Sequence, residues 1–173
     1  LVDEAYKNGV PMGADLFADG AKVPEFIVWA QKDKHSASLQ RVQIIKGSID
    51  SGNARPSEKV FDVVCSDGLE VDPTTHRCPD NGARVNIEDC SITNNVGATE
   101  LKKIWKDPEF NPENKAFYYV RVLENPTCRW STWDAIKAGE EPRSDLHKTI
   151  QERAWSSPIW YVPVPQDIDI FAL

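Results

Sequence analysis

The stretch that most constrains this chain runs from Ala116 to Trp133. Phe117, Tyr119, Val120, Val122 and Leu123 supply the aromatic and β-branched bulk of a strand, and Arg121 and Glu124 interrupt it with charge. Asn125-Pro126 must end that strand, because proline cannot donate to a ladder and biases the residue before it. A cysteine, an arginine and two tryptophans follow within a few residues. A second stretch, Ile150 to Tyr161, has the same character, with Trp155, Trp160 and Tyr161 around a bend at Ser157-Pro158. Together the two imply a paired β-core with a polar, aromatic edge.

The rest of the chain fits that plan. Phe26 to Lys32 is a nearly continuous apolar run, expected to be a strand buried on both faces. Leu39 to Gly47 alternates, with a slip at Ile45 that marks a bulge or a strand end. Glu58 to Cys65 is the next strand, and these three are expected as neighbours in an antiparallel sheet because short connections favour hairpins. Gly9 to Val23 reads as loop. Leu101, Ile104 and Trp105 stand at i, i+3 and i+4, which predicts a short helix over 99–106. Trp130 to Ala138 predicts another, stopped by Gly139. The expected fold is mainly β: an antiparallel β-sandwich-like module with a few short helices and long loops. It is divided as 1–24, a helix end and loop left from a preceding domain, 25–162, the β-domain, and 163–173, a tail. Leu1 to Asn8 reads as the tail of a helix closed by Asn8-Gly9, so the chain is expected to be a piece of a longer protein.

The 173 residues suffice for one domain with a real core. A net charge of -7 leaves no electrostatic footprint for nucleic acid or anionic lipid, and no basic run supplies one. No apolar run approaches a membrane span. Cys65, Cys78, Cys90 and Cys128 form no C-x-x-C pair, so two disulfides explain them better than zinc. Three pairings are open, with Cys65–Cys78 and Cys90–Cys128 preferred. Disulfides imply an oxidising compartment, periplasmic or extracellular.

Segment 66–82 is a loop excursion rich in turn signals. Its Asp67, Asp72 and Asp80 lack the ligand spacing of a calcium loop and read as turn carboxylates. His35, His76 and His147 stand singly in polar loops, away from any metal-binding spacing. No nucleophile elbow or phosphate-cradling glycine loop occurs. The chain therefore carries no complete catalytic or metal-ligating set. Arg129 beside Trp130, and Glu152-Arg153 beside Trp155, remain as candidate substrate-binding residues. An arginine fork grips carboxylate or phosphate and also stacks on indole. The competing reading is an internal Glu–Arg pair beneath the tryptophans, and it is the favoured one.

Four segments carry a family resemblance: Gly9 to Leu16, Phe117 to Glu124, Pro126 to Trp130 and Gln151 to Tyr161. They resemble the C-terminal region of a bacterial family described only as a domain of unknown function, number 3604. Its longer members are similar to metal-dependent hydrolases of the PHP (polymerase and histidinol phosphatase) type. The resemblance implies a non-catalytic module packed on an N-terminal hydrolase-like domain of the same, exported protein. The metal ligands would lie in that domain, so a divalent metal is implied for the full-length protein and no cofactor for this piece. Arg129 or Arg153 would reach the rim of the catalytic pocket. The alternative is a stand-alone module that binds a ligand such as a carbohydrate on its tryptophans.

Overall fold

The computed structural model describes residues 2–163. After the helix α1 (Val2–Asn8), the strands are β1 (Asp15–Phe17), β2 (Glu25–Gln31), β3 (Leu39–Ile49), β4 (Pro56–Cys65), β5 (Glu100–Lys106), β6 (Lys115–Glu124) and β7 (Thr127–Cys128). Helix α2 (Trp130–Ala138) and the short strands β8 (Thr149–Ile150), β9 (Arg153–Trp155) and β10 (Ile159–Val162) complete the chain.

Six strands form one sheet in the order β1-β10-β6-β3-β4, with β9 also on β6. All its pairings are antiparallel except β1 with β10. The expected strands β3 and β6 are its centre, and β4 is its edge. Strand β3 lies between β4 and β6 and is buried from Val42 to Gly47, its inner face against the ribbon and its outer face beneath side chains such as Phe117, which lies over Gly47. β9 and β10 follow one another along the far edge of β6. Ser156 bridges the gap, donating its N–H to the Val120 carbonyl and accepting the Val120 N–H on Oγ. The bend foreseen at Ser157-Pro158 separates the two strands.

Three local expectations are corrected. The segment 99–106 is strand β5, not a helix, because it pairs with β2 along its whole length, from Glu25 opposite Lys106 to Gln31 opposite Glu100. Leu101 and Trp105 satisfy a period of two as well as a helical period, and cross-strand pairing decides between them. Strand β2 is buried on one face only. Phe26 and Val28 point inward, whereas Ile27 and Trp29 are exposed and lie opposite Ile104 and Lys102. β2 accordingly leaves the main sheet and forms a two-stranded ribbon with β5. Third, the irregularity in β3 lies between Val42 and Gln43, opposite β4, and Ile45 is a regular buried position. Within the expected loop 9–23, Asp15–Phe17 adds β1 to the sheet edge. The tail 164–173 lies outside the described residues.

The core lies between the ribbon and the inner face of the sheet. Phe26, Val28 and Leu101 from the ribbon meet Val42, Ile44, Phe61, Val63, Tyr118 and Tyr161 from the sheet. Phe26 and Trp105 pack their rings against Tyr118 and Phe61 at 4.5 and 5.3 Å. The result is a lopsided sandwich, mainly antiparallel, as expected from the sequence. At the edge of this core the Lys46 ammonium lies 2.5 Å from the Asp107 carboxylate and donates to the Glu109 carbonyl. Asp107, whose side chain is fully buried, also accepts from the Tyr118 hydroxyl at 2.8 Å.

Two disulfides pin the long excursion between β4 and β5, Cys65–Cys78 to β4 of the main sheet and Cys90–Cys128 to β7. Inside the first loop Asp72 accepts the N–H groups of Thr74 and Thr75, and these hold its carboxyl below the usual range. Asp80 is drawn down to about 2, chiefly by its hydrogen bond from Arg84. These acids are turn carboxylates, as their spacing implied. The carbonyl of His76 accepts the N–H of Asp62, so the loop also covers the outer edge of β4. Helix α2 ends as the sequence predicts, with Gly139 in the left-handed conformation and its N–H on the last carbonyls.

Candidate functional site

The inner face of the sheet is spent on the core. The outer face is where side chains with binding chemistry collect. Directly opposed residues share a face, and so do i and i+2 along a strand. On β6, Phe117, Tyr119 and Arg121 therefore stand in one line. Trp160 joins them opposite Phe117, and Trp155 opposite Arg121. From β3 and β4 come Gly47 opposite Phe117 and Glu58, and Gln43 opposite Arg121 and Asp62.

At one end this face is apolar. A cleft of about 570 Å³ opens among the ends of β3, β4, β6 and β10, with Gly47, Glu58, Phe117 and Trp160 in its lining. Gly47 is a requirement of this surface, since a Cβ there would come within 2.2 Å of the Phe117 ring. The glycine lets that ring lie against the backbone of β3. Phe117 stacks nearly parallel to Tyr119, 6.3 Å between centroids and 15° between planes, and meets the Trp160 ring at 5.3 Å. Trp160 is 47 % and Trp155 59 % exposed.

The other end is polar and organised around Asp62, which is buried. Its carboxylate accepts from Gln43 Nε2 at 2.5 Å and from the Cys78 N–H at 2.7 Å. Gln43 in turn accepts from Arg121 Nε at 2.7 Å, so one amide links the guanidinium to the acid. Arg41 Nε and Arg77 each stand 3.6 Å from Asp62, attracted by its charge but beyond hydrogen-bond reach. Arg41 Nε is enclosed and has no hydrogen-bond partner. Arg153 lies one strand over, opposite Leu123 on the same face, exposed. Neither Arg121 nor Arg153 has a carboxylate partner among the described residues.

The structure divides the candidates named from sequence. Arg153 and Trp155 belong to this outer face. Arg129 and Trp130 do not: Arg129 precedes α2, and Trp130 lines a separate cleft with Asp134, Glu140 and Glu141. Glu152 is exposed, and its carbonyl accepts the Glu124 N–H. No ion pair joins Glu152 to either arginine among the described residues, so the tryptophans do not cover such a pair. Arg41, Gln43, Asp62, Arg77, Phe117, Tyr119, Arg121 and Trp160 were not singled out as a site. Counting in twos from Phe117 would have aligned two aromatics with Arg121. The partners from β3 and β4 depend on register, which no local pattern supplies.

A divalent ion of the kind implied for a PHP-like protein does not fit here. Among the described residues no three His, Cys, Asp or Glu side chains gather as ligands, and His76 rests its ring 5.1 Å from that of Phe61. No helix of the described residues is long and apolar enough to cross a membrane. No curated protein and no solved structure matches the chain. A family model does match, over residues 1–163, and the chain belongs to that family, the proteins of unknown function designated DUF3604.

Proposed function

We propose that this chain is a non-catalytic binding module that holds a carbohydrate on the outer face of its sheet, in the service of a larger exported protein. One observation carries the reading: Trp155 and Trp160 stand exposed on one face with the half-buried rings of Phe117 and Tyr119, beside the guanidinium groups of Arg121 and Arg153. A pyranose ring has an apolar face of C–H groups and a rim of hydroxyls. Flat aromatic rings bury the first, and Arg side chains reach the second. From Phe117 to Arg121 the face runs roughly 13 Å along β6, room for more than one ring. The two disulfides suit an oxidising compartment, periplasmic or extracellular.

The resemblance to PHP-type metallohydrolases supports a wider placement. In it, the chemistry and any divalent ion belong to an N-terminal domain of the same protein, and this module holds the substrate near it. Metal analysis and an esterase and phosphodiesterase screen of the full-length protein test that placement.

Binding itself is tested by calorimetry and tryptophan fluorescence with a panel of neutral and acidic oligosaccharides. Saturable binding is expected, weakened roughly tenfold by Trp160→Ala and by Gly47→Ala, which displaces Phe117. Trp130→Ala, on the separate cleft, leaves it unchanged. Absence of heat and of spectral change with every saccharide at millimolar concentration overturns the proposal.

A further inference from the structure

We infer that the saccharide held on this face is an acidic one, bearing carboxylate or sulfate ester groups that dock against the arginine end of the aromatic row. The inference rests on the binding reading above and adds the chemical class of the ligand.

The local charge balance supports it. Arg41 and Arg77 flank Asp62, Arg121 reaches it through Gln43, and Arg153 stands on the neighbouring strand beyond β6, in a region where, among the described residues, Asp62 is the one buried acid. That acid is already engaged by Gln43 and the Cys78 N–H. The surplus of positive charge sits on a chain whose net charge is -7, so the long-range field repels anions and this patch is a local exception. Arg41 Nε is enclosed without a hydrogen-bond partner. Arg121 is oriented through Nε by Gln43, and no carboxylate among the described residues occupies its remaining donors. A guanidinium held by one nitrogen presents the others as a fork, the geometry that planar carboxylates and sulfates accept. The aromatic row leads directly to that fork, since Tyr119 is two residues from Arg121 on the same face. Glu58, the carboxylate on the opposite flank, lies at the far end across from Gly47. An anionic group is thereby steered to one end of the face and a ring stacked at the other.

The test compares three hexasaccharides on the intact chain by calorimetry: a neutral glucan, an oligogalacturonate and a sulfated galactan. At least one acidic probe is expected to bind about tenfold tighter than the neutral one at low salt, an advantage that shrinks as salt rises. Which of the two binds tighter distinguishes carboxylate from sulfate as the source. Arg153→Gln, at an exposed position that disturbs no buried contact, and Arg121→Gln are each expected to lower the acidic affinity about fivefold to tenfold. Neutral affinity should fall by a smaller factor than acidic affinity in both variants, since a hydrogen bond to a hydroxyl is lost there but no full charge interaction. Equal affinity for neutral and acidic probes overturns this inference and leaves the binding face standing. Failure of all three probes overturns both. Acidic binding that survives both arginine substitutions places the anion elsewhere and overturns the inference.

Discussion

Replacing Cys65 and Cys78 by serine tests whether the first disulfide does more than close a loop. The bridge spans 13 residues, and loop closure alone gives about 3 kcal/mol of stabilisation at that length. The Cys78 N–H also donates to the buried carboxylate of Asp62, and the neighbouring Arg77 lies 3.6 Å from the same group. Once the loop is free to leave β4, Asp62 loses a donor and a counter-charge while it stays buried beside Gln43. A weakened partner of a buried charged group costs about 1 to 3 kcal/mol. The double variant should therefore lose about 4 to 6 kcal/mol. The Cys90–Cys128 bridge closes a longer loop, 38 residues, and predicts about 4 kcal/mol from closure. Urea unfolding of the wild type and of both double variants measures the two losses. Adding Asp62→Asn to each background measures the coupling. The first disulfide should couple to Asp62 by more than about 1 kcal/mol and the second by almost nothing. A loss below about 2 kcal/mol for the first pair, or no coupling to Asp62, refutes the view that this bridge holds the polar end of the outer face together.

Two further outcomes follow from the Lys46, Asp107 and Tyr118 cluster. Lys46→Met leaves the Asp107 carboxylate buried without its counter-ion and should cost about 3 to 5 kcal/mol in urea unfolding. Lys46→Met combined with Asp107→Leu should recover part of that loss, and a double variant no better than the single one would contradict the assignment. Burial first, and then the neighbouring Asp107 charge, push the Tyr118 phenol well above its ordinary range. The folded state thus keeps a proton that the unfolded chain gives up above about pH 10, so this contribution is fully present below pH 10. It is lost above that pH at up to about 1.4 kcal/mol per pH unit, and Tyr118→Phe should flatten the decline in unfolding free energy between pH 10 and pH 11.

What was written locally in this chain was legible without coordinates. Helix α2 and its Gly139 stop, the end of β6 at Asn125-Pro126 and the bend at Ser157-Pro158 depend on residues within a turn of one another. The preferred pairing of the cysteines is the one found. The sequence alone therefore determined a β-rich, disulfide-tied chain with aromatic bulk on β6 and near the C-terminal end of the sheet. Tertiary structure decided whatever needed a distant partner. Leu101, Ile104 and Trp105 fit helix and strand alike until β2 pairs with them, and β2 keeps one face bare because the two-stranded ribbon packs on the main sheet with only one of its faces. The outer face is the same kind of result. Trp155, Arg121, Gln43 and Asp62 stand in one cross-strand row although up to 112 positions separate them in the chain. Strand register brings them together, and a shift of one residue would turn each side chain of the shifted strand to the opposite face.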